Sequence, residues 1–186
     1  MRIMPTALFL SNELAGPEPK EASEVYKMSA LTHAHARCKA ACFIYSKLIA
    51  DILNTKDDKD KVISQSLKWS KEYLNTETDD AIKLEIKVYH RLWDVSTFKE
   101  ATEDGIKSSG YVVDTLEAAI WCFLTTDSYK DCVLKAVNLG DDTDTVGAVT
   151  GGIAGAYYGM EGIPREWLEV IPKREWIEGL VDGMVK

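Results

Sequence analysis

Apolar side chains between His33 and Leu53 recur with the period of an α-helix. They fall at Cys38, Ala41, Cys42, Tyr45, Leu48, Ile49, Ile52 and Leu53, a spacing that places them on one helix face. An apolar face of this length must pack against other elements, and similar patterns after Val62 and in residues 111–126 and 128–140 predict further helices. Because no convincing pair of strands accompanies them, the sequence predicts an all-α domain.

One segment is ambiguous between helix and strand. In residues 81–94, AIKLEIKVYHRLWD, the apolar residues Ile82, Leu84, Ile86 and Val88 alternate as in a strand. The flanking lysines and glutamates, and the lack of a hairpin partner, favour a helix.

Composition limits the class of protein. The 186 residues are 46% hydrophobic, which predicts a single domain over residues 1–186 that needs no disulfide or metal to fold. The net charge of −8 argues against a nucleic-acid surface, and a phosphorylated ligand would need local cations or backbone N–H groups.

Cellular location is inferred from two further features. Four cysteines do not form a disulfide framework, which favours the cytoplasm. No run reaches the ~18 apolar residues of a membrane span, so we expect no membrane association. The opening MRIMPTALFL is interpreted as part of the fold rather than a signal peptide.

The densest chemical signal is the run of acidic residues Asp141, Asp142 and Asp144, with Thr145 after them. They precede a helix of small residues, so helix capping is one interpretation. A hard divalent cation is the other, because carboxylate and hydroxyl oxygens are ligands for Mg²⁺ and Ca²⁺ and one cap cannot use all of these groups. An EF-hand is excluded, because Val146 and Ile153 would stand where its ligands belong.

The helix after this run carries glycines four residues apart, at Gly147, Gly151, Gly155 and Gly159. Each costs about 1 kcal/mol of helix propensity relative to alanine. Close approach of a neighbouring helix would compensate, and we expect that neighbour to contain Leu116–Phe123.

Two histidines lie before the long helix, with Cys38 and Cys42 after them. Zinc is an obvious hypothesis, but His33 and His35 would be about 200° apart around a helix and could not bind one ion together. His35 is expected to pack toward the core beside the cysteines. For His33, near the predicted helix start, a structural and a functional role remain open.

Four segments resemble, in order and spacing, those of the ADP-ribosylglycohydrolase family: MRIMPTALFL, SALTHAHARC, SGYVVDTLEAAIWCFL and NLGDDTDTVGAVTGGIAGAYYG. The resemblance covers essentially the whole chain. It implies a compact orthogonal helical domain that binds two Mg²⁺ ions. The implied reaction removes ADP-ribose from a modified side chain or a related conjugate, by hydrolysis at the anomeric carbon of the distal ribose.

The resemblance also implies roles for individual residues. The family's D-x-D-T metal element corresponds to Asp142, Asp144 and Thr145. His33 corresponds to a histidine beside the ADP-ribose, and Gly110 and Tyr111 to a stretch that lines the same pocket. The family's N-terminal GDALG-like and Thr-Asp-Asp-Thr-like segments are not found. We therefore expect an N-terminally truncated domain, inactive or very weak alone, whose site a separate N-terminal half could complete. A non-catalytic ADP-ribose-binding module and a structural α-domain are the alternatives.

Overall fold

Twelve α-helices form the part of the chain that the computed structural model describes, residues 2–14, 22–55 and 57–184. In chain order they are α1 Met4–Phe9, α2 Ser11–Leu14, α3 Ala22–Ala30, α4 Ala36–Asn54, α5 Lys59–Thr76, α6 Asp80–Leu84, α7 Val95–Lys99, α8 Val112–Leu124, α9 Tyr129–Asn138, α10 Thr143–Tyr158, α11 Arg165–Glu169 and α12 Arg174–Met184. Short 3₁₀ turns occupy Glu85–Lys87, His90–Trp93, Glu103–Gly105 and Met160–Gly162. No strand occurs in the described ranges, so the all-α prediction is confirmed.

Helix α4 lies at the centre of the molecule. It packs against α1, α2, α3 and α5, and against α8 and α10. Phe43, Ile44, Leu48 and Ile49 on α4 are fully buried. Burying side chains of this size contributes roughly 1.5–3 kcal/mol each. Leu48 and Ile49 belong to the apolar face seen in the sequence, whereas Phe43 and Ile44 do not, so α4 is buried on more than that face.

Helix α4 begins three residues later than its apolar pattern predicts. Its first residue is Ala36, and the ring nitrogen Nδ1 of His35 accepts a hydrogen bond from the backbone N–H of Arg37 at 3.1 Å. His35 therefore caps the helix and is exposed. The prediction that it packs toward the core is wrong, because a residue before the first turn does not share the direction of the helical face.

Residues 81–94 do not form one helix. The segment contains α6 and two 3₁₀ turns, and Ile82, Ile86, Tyr89 and Leu92 are buried. Spacings of three and four place these side chains on the core side of a tightly wound, interrupted segment. The choice of helix over strand is confirmed, whereas its continuity is not.

The glycine row on α10 faces α9. The nearest atoms to a β-carbon placed at Gly147, Gly151 or Gly155 belong to Val137, Tyr129 and Val133. Helix α8 also packs against α10, but the expectation that it covers the glycine row is wrong. The sequence shows that one face of α10 carries small residues. Which helix packs against this face depends on the turn between α9 and α10.

The C-terminal helix α12 has an exposed apolar face. Trp176, Ile177, Leu180 and Val181 are each at least two-fifths exposed. Within the described residues, none of the helices combines the length and apolar character needed to cross a membrane.

Candidate active site

The N-terminus of α10 carries the predicted metal residues. Gly140 and Asp141 both have positive φ, +82° and +57°, and this turn brings the chain from α9 into α10. Asp142 is the residue before the first turn, yet its side chain accepts no hydrogen bond from a helix N–H group. Helix capping therefore does not account for Asp142, and its carboxylate is left available for another partner.

The carboxyl groups of Asp142 and Asp144 converge. The neighbouring Asp142 side chain and the backbone N–H of Thr145, which lies 2.7 Å from Asp144 Oδ1, lower the pKa of the Asp144 carboxyl. Two acidic groups at hydrogen-bonding distance repel one another once both are ionised. A cation between them would remove that repulsion.

The oxygen atoms of Asp142, Asp144 and Thr145 suit Mg²⁺ but could fill only part of its coordination shell. Carboxylate oxygens of Asp142 and Asp144 and the hydroxyl of Thr145, which lies 3.4 Å from Asp144 Oδ1, are hard oxygen ligands of the kind Mg²⁺ prefers. Mg²⁺ takes an octahedral shell, however, and no cluster of three or more His, Cys, Asp or Glu residues suited to a metal occurs in the described part of the chain. These residues could supply part of a coordination shell.

Ser108 joins a second segment to this turn. Its carbonyl oxygen accepts the N–H of Asp142 at 3.1 Å, and its hydroxyl donates to the carbonyl of Gly140 at 3.0 Å. Ser108 is buried. The loop before α8 is therefore fixed to the start of α10 by two hydrogen bonds.

Gly110 lies directly against the Asp142 carboxylate. A β-carbon at Gly110 would collide with Asp142 Oδ2. A side chain at this position would force the Asp142 carboxylate to move. The structure thus brings together the predicted pocket residue Gly110 and the predicted metal residue Asp142.

Asp114 and Thr115 hold the neighbouring residue Ser109. The Ser109 hydroxyl donates to Asp114 Oδ2 at 2.6 Å, and the Thr115 hydroxyl donates to the Ser109 carbonyl at 3.0 Å. Tyr111 occupies the cap position of α8 without a side-chain bond, and Asp114 and Thr115 fix the loop that carries Gly110.

Tyr111 projects its ring at the surface beside α4. Its side chain is 44% exposed, and its hydroxyl accepts a hydrogen bond from Arg37 Nη1 at 2.5 Å. Arg37 Nε in turn donates to Glu85 Oε2 at 2.6 Å, and this hydrogen bond raises the pKa of the Arg37 guanidinium. Arg37 and Glu85 were not identified from the sequence, although Arg37 lies within the THAHAR stretch that was singled out.

His33 lies in the segment that leads into α4. Its backbone N–H donates to the Ser29 carbonyl at 2.8 Å, and its own carbonyl accepts from the Ser29 hydroxyl at 3.1 Å. The side chain of His33 is exposed. The structure places it four residues before Arg37, at the end of α4 that contacts Tyr111.

The cysteines near this end of α4 are not activated nucleophiles. Burial raises the pKa of both the Cys38 and the Cys42 thiol above the ordinary value. A thiol with a raised pKa remains protonated at neutral pH and is a poor nucleophile.

Comparison with known proteins identifies the family of this chain. The family model described as ADP-ribosylglycohydrolase matches residues 1–186. The chain belongs to the ADP-ribosylglycohydrolase family. The resemblance inferred from the four sequence segments is thereby confirmed.

Curated relatives of this ADP-ribosylglycohydrolase chain are longer than it is. It is 29% identical over 184 residues to the ADP-ribosylarginine hydrolase Tri1 of Pseudomonas putida, covering 99% of this chain and 44% of the relative. It is 29% identical over 168 residues to the ADP-ribosyl-[dinitrogen reductase] glycohydrolase of Rhodospirillum rubrum, covering 90% of this chain and 48% of the relative. The chain therefore spans about half the length of these relatives.

A solved structure shares the fold. It is titled as an ADP-ribosylglycohydrolase-related protein complex, and it matches with a TM-score of 0.75 and 27% sequence identity. The match covers 98% of this chain and 58% of that structure. The predicted ADP-ribosylglycohydrolase fold is therefore confirmed.

Proposed function

We propose that this chain contributes to a hydrolase that removes ADP-ribose from a modified side chain or a related conjugate. The observation that carries the proposal is the contact of the Asp142 carboxylate with Gly110, which has Asp144 beside it on one side and Tyr111 next in the chain on the other. The names of two family relatives, an arginine hydrolase and a dinitrogen reductase glycohydrolase, support a conjugate of this class. The partner is accordingly an ADP-ribosylated protein or a small ADP-ribose conjugate, and neither a nucleic acid nor a membrane.

Asp142, Asp144 and Thr145 would hold part of the shell of two Mg²⁺ ions. The lowered pKa of Asp144 keeps its carboxylate ionised at neutral pH, as a metal ligand must be. Mg²⁺, when bound, supplies positive charge that orients the ribose hydroxyls and a water molecule. It also offsets the repulsion between the pyrophosphate and a chain of net charge −8.

The remaining residues would position the conjugate. Gly110 lets the backbone approach the carboxylates without a side chain in between, and the exposed groups of Tyr111 and His33 are substrate contacts. Cleavage at the anomeric carbon develops positive charge on the ribose ring. Water supplies the oxygen of the new C–O bond, and its proton goes to the departing side-chain nitrogen.

The described residues hold only part of this machinery. Because the described ranges contain no group of three or more His, Cys, Asp or Glu residues that could hold a metal, residues 1–186 alone should bind Mg²⁺ weakly and turn over little substrate. We propose that other ligands come from outside the described residues, for example from a separately encoded N-terminal half.

All four cysteines are free thiols, which supports a reducing compartment such as the cytoplasm.

The proposal is tested by ADP-ribose release from an ADP-ribosylated arginine peptide, with and without a family-type N-terminal fragment. We expect the fragment to raise turnover, and Asp144→Ala or removal of Mg²⁺ by a chelator to abolish it. Asp141→Asn is the matched control, because Asp141 is exposed and carries no proposed role, and asparagine tolerates its positive φ.

Two outcomes would contradict this proposal. Robust hydrolysis by residues 1–186 alone would refute the incomplete site. Absence of hydrolysis by the completed protein, with ADP-ribose still bound in calorimetry, would favour a non-catalytic binding module instead.

A further inference from the structure

A fixed guanidinium links three segments at the edge of the candidate site. Arg37 donates from Nε to Glu85 Oε2 at 2.6 Å, from Nη2 to Glu85 Oε1 at 3.4 Å, and from Nη1 to the hydroxyl of Tyr111 at 2.5 Å. The buried Tyr89 hydroxyl donates to the Arg37 carbonyl at 2.8 Å. Backbone and side chain of Arg37 are therefore both held in place.

The direction of the Tyr111 hydrogen bond has a chemical consequence. A guanidinium has no acceptor, so Tyr111 Oη must accept, and its own proton is not used in that bond. That proton can be donated to a further oxygen. Because Tyr111 is 44% exposed, the acceptor can be an oxygen of a bound ligand.

We propose that Arg37 is a positioning residue that fixes the Tyr111 hydroxyl as a hydrogen-bond donor to an oxygen of ADP-ribose. This inference rests on the proposed function for the identity of the ligand. Arg37 itself need not contact the ligand, because three of its five N–H groups already hold it between Glu85 and Tyr111.

The geometry explains why arginine rather than lysine occupies this position. The planar guanidinium presents several N–H groups in a rigid fork and can hold a carboxylate with one edge while another N–H points elsewhere. Glu85 is nearly buried, with 11% of its side chain exposed, so it holds Arg37 more firmly than a surface partner would. A lysine can preserve the ion pair with Glu85, but its single ammonium lacks this fork.

The first experiment measures the orientation of Tyr111 without any ligand. The full chain is labelled with ¹³Cζ-tyrosine, and the Tyr111 resonance is assigned by Tyr111→Phe. We expect this resonance to shift in Arg37→Met, Arg37→Lys and Glu85→Gln, while that of Tyr26, which bonds to Glu77, stays in place. Arg37→Lys retains the ion pair and serves if Arg37→Met does not fold.

Arg91→Met is the matched control for this spectrum. Arg91 forms an ion pair with Glu117 at 2.7 Å, and the two pairs are similarly buried, with 32% and 8% of the side chains exposed against 31% and 11% for Arg37 and Glu85. Arg91 Nη2 donates to the Gly105 carbonyl at 3.1 Å, and Arg91 has no bond to Tyr111 among those described. A Tyr111 resonance that moves equally in Arg91→Met, or that does not move in the Arg37 variants, would overturn the positioning role.

The second experiment is a double-mutant cycle on the Kd for ADP-ribose, measured by calorimetry with Mg²⁺ present. Arg37→Lys and Tyr111→Phe should each weaken binding about fivefold, the typical effect of one hydrogen bond. The double variant should bind no worse than the weaker single variant, because Arg37 acts through the Tyr111 hydroxyl.

The outcomes separate this inference from the proposed function. Losses that multiply in the double variant would overturn the inference while leaving ADP-ribose binding intact. No binding of ADP-ribose by the wild-type chain, with or without the N-terminal fragment, would contradict the proposed function and the ligand part of the inference. The ¹³C spectrum would still decide whether Arg37 orients Tyr111.

Discussion

Single side chains in this protein connect segments that are far apart in sequence. Gly110 shows this most simply, because its lack of a side chain allows the loop before α8 to touch the Asp142 carboxylate. The missing side chain of Gly110 therefore leaves room for the Asp142 carboxylate beside Asp144, although glycine itself carries no reactive group.

Gly110→Ala should weaken Mg²⁺ binding roughly tenfold, in the range seen when groups that position a ligand are altered. The added methyl group displaces the Asp142 carboxylate from Asp144. The measurement is a calorimetric titration with Mg²⁺. Gly105→Ala is the control, because its β-carbon would lie 3.5 Å from Thr102 Oγ1 in ordinary contact. Equal Mg²⁺ affinities in the two variants would show that moving the Asp142 carboxylate does not affect metal binding.

A second residue-scale effect concerns the ion pair of Arg91 and Glu117. Burial raises the pKa of the Glu117 carboxyl, and the charge and hydrogen bonds of Arg91 partly offset this. In Arg91→Met the folded-state pKa of Glu117 should rise further above its unfolded value. A carboxyl with a raised folded pKa destabilises the folded state as pH rises through that pKa, and the cost disappears below the unfolded value.

Arg91→Met should therefore lose about 3 kcal/mol of stability at pH 7, as expected for a charge left without its buried partner. It should lose less at pH 4, where Glu117 is largely protonated. Thermal melts of both proteins across this range provide the test. A gap in Tm that is constant with pH would mean that the Glu117 charge is not responsible.

At the scale of secondary structure, the glycines of α10 are not equivalent. A β-carbon at Gly152 would collide with the hydroxyl of Tyr45 on α4, whereas one at Gly155 would lie 3.8 Å from Tyr129 Cε2. The same residue type thus permits close packing at one position and leaves ordinary space at another, one turn away.

Gly152→Ala should destabilise the protein by about 1–3 kcal/mol through overpacking. Gly155→Ala should stabilise it by up to about 1 kcal/mol, because alanine favours the helix. Urea denaturation of both variants measures the difference. If both substitutions stabilise, Tyr45 moves aside at little cost, and the helix crossing is looser than these distances indicate.

Across the whole molecule, the sequence patterns predicted where helices form better than they predicted which helices pack together. The period of the α4 apolar residues and the small residues of α10 follow from local geometry, so both helices could be predicted. The partner of the glycine row could not, because a small face is equally suited to α8 or α9. The secondary structure of residues 81–94 was hard to predict, because the spacing of apolar residues in interrupted 3₁₀ turns fits no single period.

The candidate site shows the same division between local and long-range information. Asp142, Asp144 and Thr145 form a contiguous motif and were found from the sequence, with family resemblance supplying His33, Gly110 and Tyr111. Arg37 and Glu85 are 48 positions apart, and nothing in either local pattern shows that they meet. Their contact is created only when α4 packs beside the turn that follows α6.

The two hydrogen bonds of Ser108 close a loop of chain upon itself. Ser108 and Gly140 are 32 positions apart, and the segment between them contains α8 and α9. Chain entropy opposes closing a loop of this length, and that opposition is overcome during folding, before any ligand arrives. A ligand that reaches Gly110 and Asp142 therefore meets two groups already adjacent, and its binding energy need not be used to assemble them.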